Sequence, residues 1–172
     1  MKSQLYDKKI LKKQSAGLLI YKYDEKNDLQ FFIVHPRGRF WKNEKKGSWT
    51  IPKGEILEKE DKIPAAIREF YEETGINAKE PFINLGFIKQ KAGKTVYAWA
   101  FEGDFSGILN CTSFCEIEFP KNSGKMITIP EIDNCGFFNK NEIKELINPA
   151  QYELIERLEN ILISKSKYNL IP

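Results

Sequence analysis

The chain has 172 residues, 41% of them hydrophobic and 30% charged, with a formal net charge of +3. That length and balance predict one packed domain over residues 1–172 and exclude a disordered chain. Arginine stands only at Arg37, Arg39, Arg68 and Arg157, too sparse for a nucleic-acid-binding stripe, and the run Lys8, Lys9, Lys12, Lys13 reads as a solvated arm.

Ser15 to Tyr23 and Leu29 to His35 are rich in apolar, β-branched and aromatic residues around the polar stretch Asp24 to Asp28, which predicts two paired strands. A basic loop follows from Pro36 to about Gly47, carrying Arg37, Arg39, Lys42, Lys45 and Lys46 with Phe40 and Trp41. Trp49 to Ile51 is a short strand candidate, closed by Pro52, Lys53 and Gly54. The next segment predicts a helix with both ends marked. Asp61 is the N-cap, Pro64 falls in the first turn where no amide donor is needed, and Gly75 suits a left-handed C-terminal cap. Phe82 to Gln90 and Thr95 to Glu102 predict strands joined by the tight turn Lys91 to Lys94. Ile127 to Ile129 and Cys135 to Phe138 add short strands. Asn139 with Glu142 opens a further helix, and Asn148 with Pro149 and Gln151 opens another, in which Ile155, Leu158 and Leu162 share a face. No repeat or linker interrupts the chain, so the expected architecture is α/β, with helices covering a mixed sheet.

Cys111, Cys115 and Cys135 are an odd number without zinc-knuckle or redox spacing, and His35 is the only histidine. Any metal would therefore rest on oxygen ligands. The apolar stretch Ala16 to Tyr21 follows basic residues but is too short for a signal peptide and is broken by Lys22 and Asp24. No other run approaches membrane-spanning length, and the expected location is the cytoplasm.

Gly54 to Ile76, GEILEKEDKIPAAIREFYEETGI, carries the chemistry. On a helix Glu69, Glu72 and Glu73 stand at i, i+3 and i+4, in one stripe beside the apolar residues Ile63, Ala66, Ile67 and Phe70. Such like-charged neighbours repel by roughly 0.2–0.5 kcal/mol per pair, and carboxylates in a last turn oppose the helix dipole. Either the face is simply solvated, or a cation compensates. Clustered carboxylates beside a Pro-Lys-Gly loop suit a hard divalent ion, Mg²⁺ or Mn²⁺. Arg68 can pair with Glu60 or a neighbouring carboxylate and hold the loop against the helix.

The segment resembles the Nudix box, G-x5-E-x7-R-E-U-x-E-E-x-G-U with U apolar, at Gly54, Glu60, Arg68, Glu69, Phe70, Glu72, Glu73, Gly75 and Ile76. The resemblance implies an α/β/α sandwich and a metal-dependent enzyme cutting a pyrophosphate bond with activated water. It implies catalytic roles for Arg68, Glu69, Glu72 and Glu73, with Glu72, Glu73 and the Gly54 carbonyl as metal ligands and Glu69 as ligand or general base. A later carboxylate is expected to join them: Glu118 or Glu116, with Glu131 behind.

Outside the box the chain resembles bacterial Nudix proteins with HPxGxFW, WTIPKGE, FPKNSGKM and PEID-type segments, a subgroup without an assignable substrate. WTIPKGE is also similar to the W-x-x-P-K-G of diadenosine polyphosphate and diphosphoinositol polyphosphate hydrolases, which implies a nucleotide-type substrate with several phosphates. Arg37, Arg39, Lys53, Lys121 and Lys125 are candidates to hold phosphates, and Phe40, Trp41 or Trp49 to stack on a base, with core packing the alternative for Trp49. Family resemblance is compatible with a homodimer, although no residue pattern requires one. A catalytically silent nucleotide-sensing module is the competing reading; degenerate box glutamates would mark it, and here they are intact.

Overall fold

A computed structural model of the chain describes residues 14–37 and 46–168. Its centre is β1 (Gln14–Tyr23), in which Ser15 through Tyr21 are all buried. A strand buried on both faces must carry apolar side chains at consecutive positions. Along β1, Ala16, Leu18 and Ile20 join one core cluster while Leu19 and Tyr21 join the other.

The large sheet runs β4 (Ile83–Lys89), β5 (Thr95–Glu102), β1, β2 (Leu29–Pro36), β8 (Ile132–Asn139). β1 and β5 are parallel and the other neighbours antiparallel, so the sheet is mixed. Helix α1 (Lys62–Thr74) covers one face through Ala65, Ala66 and Phe70. The short α2 (Lys140–Leu146) and the long α3 (Tyr152–Tyr168) cover the other through Ile143, Leu154, Ile155 and Leu158. The expected α/β/α sandwich is present.

Local signals account for several boundaries. The expected hairpins β1–β2 and β4–β5 form, and Gly75 ends α1 in the left-handed conformation at φ 73°. Asn139 caps α2 through a reciprocal capping box with Glu142. Asp61 occupies the N-cap of α1, but its side chain makes no capping bond.

Three expectations shift. Trp49 and Thr50 make only isolated bridges, to Ile147 and Val34, and the strand in this region is instead β3 (Lys53–Glu55), paired with Ser15 to Gly17 of β1. The reason is Gly17, where a β-carbon would collide with the Pro52 carbonyl and Lys53; its absence lets that loop lie against β1. Ile63, expected in the apolar stripe, is 39% exposed, because the helix turns Ala65, Ala66, Glu69, Phe70 and Glu73 inward instead. Finally, β6 (Phe114–Glu118), not anticipated from its sequence Phe, Cys, Glu, Ile, Glu, pairs with β7 (Met126–Pro130) in a separate hairpin.

Candidate active site

Because α1 buries a face that includes Glu69 and Glu73, its carboxylates stand at the rim of the core, where β3 crosses the helix. Gly54 of β3 sits directly on Glu69: a β-carbon there would overlap the Glu69 carboxyl group. The Lys53 amide donates to Glu73 Oε2 at 2.9 Å. The resulting cleft, about 500 Å³, is lined by Glu69, Glu72, Glu73 and Glu131, by the cations Arg37, Lys53 and Lys94, and by Thr50, Gly54, Ser113 and Cys115 among others.

Arg68 organises the acidic side. Its Nε and Nη2 donate to the two oxygens of Glu60, each at 2.8 Å, and Nη2 also donates to the Glu55 carbonyl at 3.1 Å. Nη1 donates to Glu69 at 2.6 Å and Glu72 at 3.2 Å. One guanidinium thus ties the β3 loop to the helix and bridges two carboxylates.

The hydrogen bonds from Arg68 hold the Glu60 carboxyl at about 2, below its ordinary 4.5. Stability from a lowered carboxylate is full above the unfolded value and fades as pH falls toward the folded one. The melting temperature of wild type should therefore exceed that of Glu60→Gln at neutral pH, and the gap should close as pH falls from 4.5 toward 2. A gap independent of pH across that window would mean the pair contributes nothing through its charge.

The other carboxylates are pushed the opposite way. Burial raises Glu69, against the pull of Arg68, and burial pushes Glu73 up to about 8, against the pull of Lys53. The Glu131 charge adds to the upward push on both, so Glu131 belongs electrostatically to the α1 cluster.

Glu131 follows β7, and its position depends on a strap formed by residues 110–113. Asn110 N donates to the Thr74 carbonyl at 3.2 Å, and Thr112 N and Ser113 N donate to the Glu72 carbonyl at 2.7 and 3.2 Å. These bonds satisfy carbonyls at the C-terminal end of α1 that lack helical partners. The strap then holds Glu131 twice: Glu131 N donates to the Ser113 carbonyl at 2.9 Å, and Ser113 Oγ donates to Glu131 Oε2 at 2.8 Å. Arg37 N donates to the Glu131 carbonyl at 2.6 Å, and Arg37 Nε lies 3.6 Å from Asp133, which also contacts His35 Nδ1 at 2.6 Å.

Of the residues singled out in the sequence, Arg37, Lys53, Gly54, Glu69, Glu72 and Glu73 line the cleft, and so does Glu131. Glu118 does not; its carboxylate accepts from Gly124 N at 2.7 Å inside the β6–β7 hairpin. Glu116 sits opposite Thr128 on the exposed side of that hairpin. Lys121 and Lys125 lie in the hairpin's turn region and not among the lining residues. Trp49 is only 8% exposed, with its ring 5.1 Å from Phe138 and 5.3 Å from His35, and packs in the core. Arg39, Phe40 and Trp41 lie outside the described residues. Lys94, Ser113 and Cys115 were not anticipated. Lys94 reads locally as a turn residue, and Ser113 precedes a strand that carries no sequence mark.

A larger groove, about 680 Å³, opens between the β1–β2 turn and the start of α2. There Asp24 is committed to its own turn, accepting from Lys26 N, Asp28 N and Gln30 Nε2, and Lys140 is paired with Glu159. It offers no comparable convergence of carboxylates on a helix.

Fold and cleft together define an α/β protein in which the carboxylates of a helix and three cations line one cleft. The chain belongs to the Nudix family: the family model described as NUDIX domain matches residues 12–158. A rat protein described as bis(5'-nucleosyl)-tetraphosphatase (asymmetrical) is 37% identical over 60 residues, which span 31% of this chain and 41% of that protein. The fold is similar to a Caenorhabditis elegans Ap4A hydrolase in a binary complex, with 22% identity, TM-score 0.58, and coverage of 88% of this chain and 98% of that one. It is also similar to the NUDIX domain of Shewanella oneidensis NrtR complexed with ADP ribose, with 12% identity, TM-score 0.61, and coverage of 94% and 90%. A MutT protein from Methanosarcina mazei Go1 shows 20% identity, TM-score 0.55, and coverage of 86% and 93%. None of the helices among the described residues is long and apolar enough to cross a membrane.

Proposed function

We infer that the chain is a divalent-metal-dependent pyrophosphohydrolase acting on a nucleoside diphosphate linked to a further moiety, with dinucleoside polyphosphates and nucleoside triphosphates as the leading candidates. The observation that carries this reading is the convergence on one cleft of Glu69, Glu72, Glu73 and Glu131 with Arg37, Lys53 and Lys94. Anionic phosphates need the cations, and the carboxylates need a charge of their own to neutralise.

The donor set fits Mg²⁺ or Mn²⁺. It offers carboxylate oxygens and the Gly54 carbonyl, and Glu73, 5% exposed, is a buried acid whose desolvation outweighs the compensation from Lys53. Among the described residues no three acidic, histidine or cysteine side chains already stand at ligand spacing; Arg68 holds Glu69 and Glu72, and a cation would compete for those oxygens. Glu72, Glu73, Glu69 and the Gly54 carbonyl are the proposed ligands, with Glu131 as the later carboxylate that completes the set. When bound, the cation supplies Lewis-acid polarisation of the pyrophosphate and acidifies a water. Lys53, Arg37 and Lys94 hold the phosphate oxygens, Arg68 keeps the β3 loop seated on α1, and Glu69 or Glu131 accepts the proton of the attacking water. The rat relative's name supports a dinucleoside polyphosphate, since the matched stretch is 37% identical.

The test is a panel of nucleoside triphosphates, nucleotide sugars, ADP-ribose, dinucleoside polyphosphates and diphosphoinositol phosphates with Mg²⁺ or Mn²⁺, run beside Glu72→Gln. Cleavage by wild type that needs metal and is lost in the variant is the expected result. Binding without turnover across the panel would replace the enzyme reading with a nucleotide-sensing one.

A further inference from the structure

We propose that Ser113 is a positioning residue that orients the Glu131 carboxylate toward the α1 glutamates; this rests on the hydrolase reading of the same cleft. Neither Ser113 nor its neighbours belong to the glutamate-rich motif, and the argument comes from connectivity in space.

Glu131 reaches the cleft from the far end of the hairpin, at the junction of β7 and β8, where nothing in its own strand pairing sets the rotation of its carboxyl group. The Ser113 hydroxyl supplies that restraint, donating to Oε2 at 2.8 Å. Ser113 is itself anchored to the catalytic helix, since its amide and that of Thr112 donate to the Glu72 carbonyl, and Thr112 Oγ1 donates to the same carbonyl at 3.2 Å. One short segment therefore registers two things at once: the end of α1 that carries Glu72 and Glu73, and Glu131, a cleft carboxylate that comes from beyond the glutamate-rich segment. A hydroxyl bonded to one oxygen fixes how the carboxyl plane is turned, and outer contacts of this kind typically alter metal affinity or activity by about 10 to 100-fold when removed. The backbone bonds of the strap survive truncation of the side chain, so Ser113→Ala removes the orientation and leaves the scaffold.

The experiment is a double-mutant cycle on the full chain with Ser113→Ala, Ser113→Thr, Glu131→Gln and the Ser113→Ala/Glu131→Gln pair. It reads Mn²⁺ affinity by titration calorimetry without nucleotide, kcat and KM on the best substrate of the panel, and thermal melts to confirm folding. Ser113→Ala should lower kcat or Mn²⁺ affinity about 10 to 100-fold with KM changed little, Ser113→Thr should restore it, and the loss should vanish when Glu131 is already Gln. Equal losses in both backgrounds, or no loss at all, would overturn the proposal while leaving the hydrolase reading intact. A wild type that binds Mn²⁺ but turns nothing over would remove the hydrolase reading, and the cycle on Mn²⁺ affinity would still decide the role of Ser113. A wild type that binds no Mn²⁺ and cleaves nothing would overturn both.

Discussion

Gly54→Ala is expected to lower kcat/KM by on the order of 100-fold, the size of effect that follows from displacing a reacting group by about an ångström. The added β-carbon would occupy the space of the Glu69 carboxyl group. Two relaxations are open, and both damage the site. Either Glu69 rotates away, giving up the bond from Arg68 Nη1 and its place in the cleft, or residues 53–55 lift off, breaking the pairing of β3 with β1 and drawing the proposed carbonyl ligand away from the helix. Overpacking of this kind typically destabilises by about 1–3 kcal/mol, so a lower melting temperature should accompany the lost turnover. Kinetics and a thermal melt on the same preparation check both. Unchanged kinetics would show that the close approach of Gly54 to Glu69 has no part in turnover.

Glu73→Gln should separate stability from function. Activity with metal is expected to fall by roughly 10³-fold or more, since several kcal/mol of charge stabilisation depend on a full ligand set. The metal-free protein should nevertheless become more stable at mildly alkaline pH. Glu73 is 5% exposed, and burial raises its carboxyl from 4.5 to about 8. For a group raised in the folded state, the contribution to stability is full below the unfolded value and is lost as pH rises through the folded one. The advantage of the amide, which does not titrate, should accordingly grow between pH 4.5 and about 8. Each kcal/mol corresponds to about 2–4 °C in melting temperature for a chain of this size. Adding Mg²⁺ should reverse the order, stabilising wild type and leaving the variant unmoved, because only wild type presents the charged ligand. Melts across pH, with and without Mg²⁺, read both signs at once. A variant less stable than wild type at every pH without metal would mean that the buried carboxyl is held by contacts stronger than its desolvation.

What could be read in the chain itself was whatever is written within a few residues. The glutamate stripe on α1 follows from spacings of three and four, the end of that helix from Gly75, and the start of α2 from the reciprocal pair Asn139 and Glu142. The fork from Arg68 to Glu60 was legible too, since only the N-cap and the first turns of α1 separate them and the charges are opposite. Tertiary structure decided the rest. For Trp49 the sequence left both base stacking and core packing open, and the bridge to Ile147 and the rings of His35 and Phe138 draw it into the core, while a bond from the Arg37 amide to the Glu131 carbonyl helps set that arginine at the cleft. Among the later carboxylates, Glu118, Glu116 and Glu131 are all acids beside apolar strands, and local pattern cannot rank them. The hairpin register assigns Glu118 to its own turn and Glu116 to the exposed face. The strap from α1 brings Glu131 to the cleft by bonds that join residues 72, 113 and 131. Local preference acts over one turn of helix or one strand pair, whereas those bonds exist only after the chain has closed on itself.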